Sequence, residues 1–274
     1  MSEIGFILDD MKWSYSRIKL FFECPYAYYL QYVLCKPASE NAFGEYGNFI
    51  HKILEKYYKG ELTLFELVDY YTENYGEAVR HAFPPNSYVD LNTKYFEEGL
   101  KYFDSFEGFD EEILGVEAQY DFKLGKYDFT GIIDVESKSG DLYIINDHKS
   151  KSRLHKTRLT SKDNPQDWIR LVDGRFIPRD LVRQLYIYSI PFNERYGRYP
   201  DLLRFNMFRI NDWYTVKFNM DDFEEAKEWA TKTIEDIYNT TEFICSKPSN
   251  DFFCNYICSM GTYCKNSNRY LGIE

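Results

Sequence analysis

The chain has 274 residues, enough for one large domain or two small ones and for a sizeable core. Hydrophobic residues make up 44% and charged residues 28%, which excludes a disordered chain. The net charge of −11 argues against a general nucleic-acid coat, and no apolar run approaches the roughly 20 residues needed to cross a bilayer.

The opening MSEIGFILDDMKWS is acidic and lacks a signal-peptide pattern, so a cytoplasmic location with no membrane partner is expected. In residues 13–33, Ser14 and Ser16 suit a helix N-cap, and Pro25 suits the first turn of a second helix running to about Val33. Residues 47–60 place Phe49, Ile50, Ile53, Leu54, Tyr57 and Tyr58 at helical spacing, with Gly60 as the stop. Residues 62–82 and 91–107 read as two more helices, parted by Pro84-Pro85. The period then changes. Residues 112–124, 126–136 and 141–149 read as three strands joined at Gly125 and at Ser139-Gly140-Asp141, which predicts an antiparallel meander. Residues 179–197 are helical until Pro191. Residues 202–210 and 213–218 are strands about an Asn-Asp turn, and 221–239 is an acid-capped helix. The order predicts an α/β core with a helical N-terminal cap.

Charge is uneven along the chain. Residues 1–120 hold 10 Lys/Arg against 21 Asp/Glu, whereas residues 149–183 hold 10 Lys/Arg against 4 Asp. That strip suits a track for an anion, or equally a solvated loop.

Two of the strands end in carboxylates. With the hairpin turning at about Ser139-Gly140, Asp134 falls nearly opposite Ile145 and Asp147 is its diagonal neighbour, roughly 7–8 Å away. Alternation puts Ile145, Asp147 and Lys149 on one face and turns His148 to the other. Two acids so close repel unless a cation lies between them, and Mg²⁺ takes carboxylate oxygens readily. Lys149 beside them suits orienting or polarising a water, the apparatus of phosphodiester hydrolysis. An Asp-x-Lys triplet by itself is equally a solvated strand face.

These residues, in this order, resemble the PD-(D/E)XK nucleases, in the branch of the RecB and AddB nuclease domains and the CRISPR-associated exonucleases of the Cas-four type. The matching motifs are Gly131-Ile-Ile-Asp134, Asp147-His-Lys149, Gly47-Asn-Phe-Ile-His51-Lys-Ile-Leu-Glu55, Gln184-Leu-Tyr-Ile-Tyr188, and Ser14-Tyr-Ser16 with Cys24-Pro25. The resemblance implies a restriction-endonuclease-like α/β core, a central mixed sheet flanked by helices. It implies a single nuclease domain, with a helical region over 13–110, a catalytic core over 111–240 and a tail over 241–274 packed with residue 24. It makes His51, Asp134 and Asp147 ligands of Mg²⁺ or Mn²⁺, with the His148 carbonyl as a fourth, and Lys149 the catalytic lysine. Gln184 and Tyr188 become supports near the phosphate, and Glu117 a residue that orients metal or water.

Six cysteines stand at 24, 35, 245, 254, 258 and 264. In a cytosolic chain disulfides are the weaker explanation. The resemblance implies that Cys24, Cys254, Cys258 and Cys264 hold a 4Fe–4S cluster that clasps the two termini. The C-x3-C-x5-C spacing has one residue more than the family's C-x2-C-x5-C, and a zinc knot or unligated thiols are the alternatives. Cys35 and Cys245 read as ordinary buried thiols.

The expected function is a metal-dependent DNA exonuclease acting on single strands or DNA ends in recombination, replication or repair, phage- or CRISPR-associated. With no Walker motif in the chain, a helicase or recombination protein would be a separate partner. An endonuclease, an RNA-directed nuclease, and a non-catalytic DNA-binding or assembly subunit are the alternatives.

Overall fold

The structure, a computed structural model, describes residues 5–152, 154–249 and 251–272. Short helices open the chain: α1 (Gly5–Asp9), α2 (Tyr15–Glu23) and α3 (Pro25–Tyr28), the last continuing as a wider turn through Tyr29–Val33. The Ser14 side chain caps α2 by accepting from Arg17 N, and Pro25 opens α3. Three longer helices follow: α4 (Ala42–Tyr58), α5 (Leu67–Ala78) and α6 (Leu91–Asp104). α4 starts five residues before the predicted point because Asn41 caps it, accepting from Gly44 N.

The sheet comprises β1 (Glu112–Leu124), β2 (Tyr127–Ser139), β3 (Leu142–His148), β6 (Leu202–Met207) and β7 (Asp212–Lys217), in the order β1-β2-β3-β6-β7. β1, β2 and β3 form the predicted meander. β3 and β6 are parallel, with α7 (Arg179–Tyr196) in the crossover between them. The mixed sheet flanked by helices is the α/β architecture expected. β4 (Trp168–Arg170) and β5 (Phe176–Pro178) make a small separate hairpin, and α8 (Met220–Asn239) closes the fold.

Four expectations change. The β2–β3 turn is Gly140-Asp141, since Ser139 pairs with Leu142 and Gly140 takes φ +59°. Val135 therefore pairs with Asn146, and continuing that register puts Asp134 opposite Asp147 rather than opposite Ile145. The offset is two residues, so each side chain keeps its face. α7 does not stop at Pro191 but runs on to Tyr196, with Pro191 and Phe192 packed in the core and Gly197 as a left-handed cap. Burial of that apolar stretch outweighs the lost backbone hydrogen bond. Strand β6 ends at Met207, where a tight turn leads to Asn211 at φ +47°.

The fourth change concerns the basic strip, part of which is paired with acids within the fold. Lys156 pairs with Asp163, Arg175 with Asp173 and Asp212, Arg179 with Asp222, and Arg183 with Glu225. Arg153 lies outside the described residues.

Two cores hold the layers together. One packs Trp13, Tyr15, Ile18 and Tyr28 with the sheet, α7 and α8; the other packs α4, α5 and α6 around Tyr46, Phe49, Tyr71 and Phe208. The N-terminal helices α1–α3 thus pack with the sheet rather than with α4–α6. Trp13 bonds across Phe129, donating to Asp128 O and accepting from Thr130 N, which covers the edge of β2 that β3 is too short to pair. No helix among the described residues is long and apolar enough to cross a membrane.

Candidate active site

The C-terminal end of β3 lies where β1, β2, α4 and α7 come together. At the end of β3, Asp147 and Lys149 just beyond it face α7, and His148 faces the α4–α6 layer. Lys149 Nζ stands 2.7 Å from Asp147 Oδ2 and donates to Gln184 Oε1 of α7 at 3.0 Å. The Asp147 contact is an ion pair by distance but not aligned as a hydrogen bond, so buried Oδ2 has no hydrogen-bonded donor. A primary ammonium held between a carboxylate and an amide has little freedom to wander.

Asp134 ends the β2–β3 ladder. Its Oδ2 accepts from His148 N at 2.7 Å, so the side chain takes the place of a strand carbonyl. His51, one face of α4, brings Nε2 to 2.9 Å from the His148 carbonyl and Nδ1 to 3.5 Å from Asp134 Oδ2. A neutral His51 that donates from Nε2 to that carbonyl keeps its Nδ1 lone pair toward Asp134, the orientation a metal ligand needs. The carbonyl retains a second lone pair.

Glu117 completes the group through an unusual backbone. Val116 pairs with Val135 and Ala118 with Ile133, so Glu117 lies level with Asp134 on the neighbouring strand. It has φ +48°, the left-handed region, at a cost of about 1–3 kcal/mol for a residue other than glycine. Ligand atoms of His51, Glu117 and Asp134 all lie within 4.8 Å of one another. Asp147 is next to this group but is engaged with Lys149.

The electrostatics match a cation site. Burial, then the Asp134 charge and then Glu55 push Glu117 up to about 7. Burial and Asp147 push Asp134 upward as well, against the pull of His51 and Lys149. These acids are crowded in one another's field and out of water, the arrangement a hard divalent ion relieves. The donor set of imidazole and carboxylate oxygens fits Mg²⁺ or Mn²⁺.

Gln184 and Tyr188 both reach from α7 toward the sheet beside this group. Tyr188 is buried one turn along α7 from Gln184, and burial followed by the Asp147 charge raises its hydroxyl's pKa. Its ring lies against Gly131, where an added Cβ would stand 2.5 Å from Tyr188 Cε1, so the glycine of the Gly-x-x-Asp strand is there for lack of space. Behind the site, the His148 ring stacks on Tyr58 at 5.7 Å and 4° and meets Asn206 Nδ2 at 3.1 Å. Asn206 also donates to Tyr102 Oη at 2.6 Å. The sequence reading missed this buried polar layer, because single Tyr and Asn residues on separate elements carry no spacing signal.

A second cluster lies at the other end of the chain. Cys24, Cys254, Cys258 and Cys264 line one small interior cavity, as expected, with Ala27, Phe253 and Met260. Cys245 lines it too, so it is not an unattached thiol, and Cys35 is exposed rather than buried. Burial raises the thiol pKa values of Cys24, Cys254, Cys258 and Cys264. Thiols around one water-poor cavity are the donor chemistry that suits a thiophilic metal.

No curated protein matches the chain. A crystal structure from Eubacterium rectale, described as "Putative exonuclease", aligns over 90% of this chain and 90% of its own at 13% identity and a TM-score of 0.47. The sequence profile of the PD-(D/E)XK nuclease superfamily matches residues 12–265, a span that contains every site residue above. The chain belongs to the PD-(D/E)XK nuclease superfamily.

Proposed function

We propose that this nuclease is a divalent-metal-dependent DNA exonuclease of the branch that includes the RecB and AddB nuclease domains and the Cas-four-type exonucleases. The observation that carries the reading is the convergence of His51, Glu117 and Asp134 beside a lysine held by Asp147 and Gln184. His51, Glu117 and Asp134, with Asp147 and the His148 carbonyl adjacent, are the residues that would hold Mg²⁺ or Mn²⁺. A bound divalent ion supplies charge against the phosphate and lowers the pKa of a water.

The remaining work falls to the chain. Lys149, fixed by its two partners, offers an ammonium to the charge that develops on the phosphate and orients the attacking water. Gln184 holds Lys149 in line. Tyr188, packed on Gly131, keeps α7 at a set distance from β2, and so keeps Gln184 at a set distance from Lys149. Asp134 anchors the end of β3 through His148 N while presenting its carboxylate to His51.

The same resemblance supports a single nuclease domain, a cytoplasmic setting, single-stranded DNA or DNA ends as substrate, and a separate helicase or recombination protein as partner in recombination or repair. It also supports a 4Fe–4S cluster in the cysteine cavity, held by Cys24, Cys254, Cys258 and Cys264.

End-labelled single strands and closed circular DNA, each incubated with Mg²⁺ or Mn²⁺, test the proposal. The exonuclease degrades the linear strands and spares the circle; cutting of the circle would make it an endonuclease. Lys149→Ala should lower the rate by a factor of about 10²–10³ while gel-shift binding persists. Wild-type cutting by that variant would remove Lys149 from the mechanism.

A further inference from the structure

The cysteine cavity holds one sulfur more than a four-thiolate centre takes. Cys245 is the extra one. The tail alone, through Cys245, Cys254, Cys258 and Cys264, brings four thiols to the cavity, and Cys24 arrives from the junction of α2 and α3. Cys245 Sγ lies 3.8 Å from Cys24 Sγ and 3.7 Å from Lys247 O.

The separation has a chemical meaning. Two thiolates on one tetrahedral ion, with metal–sulfur bonds of about 2.3 Å, stand about 3.8 Å apart. Sulfurs at that distance, here also within thiol hydrogen-bond reach, are spaced as two ligands of one metal position would be. A disulfide would need them at roughly 2.05 Å.

We propose that Cys245 is a ligand of the metal centre in this cavity and faces the same metal ion as Cys24. The inference rests on the reading that the cavity binds a thiophilic metal, iron with sulfide or zinc. On a single tetrahedral ion the two thiolates bind together. On a cluster, each iron takes one protein thiolate, so only one of the two can hold the iron they face.

The test uses the full chain purified without oxygen. Iron, acid-labile sulfide and zinc are measured in the wild type and in Cys245→Ser, Cys24→Ser and Cys35→Ser, together with visible absorbance. For a zinc-bearing protein, Co²⁺ replaces the metal and its thiolate absorption is read. Cys245→Ser should lose most of the metal or shift the spectrum as Cys24→Ser does, and Cys35→Ser should match the wild type. Alkylation mapped by mass spectrometry covers the case of a variant that fails to fold. In the loaded wild type, exposed Cys35 is modified and half-buried Cys245 is protected until a chelator removes the metal.

A loaded Cys245→Ser protein with wild-type stoichiometry and spectrum would overturn the inference while leaving the metal reading intact. So would alkylation of Cys245 with the metal retained, or a Cys24–Cys245 disulfide in the anaerobic protein. A wild type that binds neither iron nor zinc would sink the metal reading itself, and this inference with it.

Discussion

Gly131 and Tyr188 show how the site depends on single atoms. An alanine methyl at 131 would meet the Tyr188 ring at 2.5 Å, and that ring belongs to the helix that carries Gln184. Gly131→Ala should cost about 1–3 kcal/mol in denaturant unfolding and displace Lys149's partner, so activity falls too. Adding Tyr188→Leu should recover part of the lost stability, because a flexible side chain can yield where a ring cannot. Additive losses in the double variant would show that the clash is not what the glycine avoids. Glu117 makes a pH prediction. Folding raises its pKa to about 7, from roughly 4.3 in an unfolded chain. The stability it contributes is complete below the unfolded value and is lost as pH rises through about 7. A divalent ion needs the charged form, so added Mg²⁺ should raise the melting temperature more at about pH 8 than at about pH 5.5. Equal shifts at both values would place the ion away from Glu117. Much of this was readable beforehand. The motif spacings marked His51, Asp134, Asp147 and Lys149, and the structure brings these four together. The left-handed backbone of Glu117 was not readable, because nothing in a glutamate announces φ +48°.

Elements carry these residues to one point, and each is held at its ends. α4 presents His51, and its N-cap Asn41 works in two directions. Its Oδ1 accepts from Gly44 N, and its Nδ2 donates to Ile257 O in the cysteine tail at 3.1 Å. Ser39 adds two bonds to Ser259 O. Asn41→Ala should destabilise the fold by about 1 kcal/mol through the cap alone. Asn41→Ser keeps a capping oxygen but loses the reach to Ile257. If the tail bond matters, Asn41→Ser should fall between wild type and alanine in thermal melts; identity with the wild type would confine the residue's part to the cap. The element pattern itself was mostly predictable from periodicity, as the β1–β2–β3 meander shows. The misses have local causes. A Gly140-Asp141 turn and a Ser139-Gly140 turn both set a glycine beside a turn-forming polar residue, and only the strand pairing separates them. Pro191 signals a stop on its own, yet Leu185, Ile187 and Phe192 bury so much apolar surface that α7 continues past it.

At the scale of the molecule, the tail is the part with least apolar support. Its cluster of Cys24, Ala27, Leu30, Cys258, Met260 and Cys264 is separate from the two large cores and shares only Leu20 at the boundary with the sheet's core. The family resemblance brought Cys24 together with Cys254, Cys258 and Cys264, and the structure sets all four around one cavity. The resemblance left out Cys245, because a cysteine nine residues upstream of the cluster belongs to no motif. A metal in the cysteine cavity would be the tail's main tether. Cys24 and Cys245 are 221 positions apart, and a link across a loop that long would remove unfolded-state entropy worth about 5 kcal/mol in the chain-entropy model. Breaking it should loosen the tail before the cores. Cys258→Ser, with far-UV circular dichroism close to wild type, should be cut by chymotrypsin within residues 241–272, where Phe252 is 51% exposed. The cuts should leave a resistant fragment that ends near Asn239, the last residue of α8. Because α4 is bonded to that tail through Asn41 and Ser39, nuclease activity should fall as the cuts accumulate, although no active-site residue lies in the lost segment. Digestion of core and tail together would show one cooperative unit, with the clasp as much a part of the catalytic fold as the sheet.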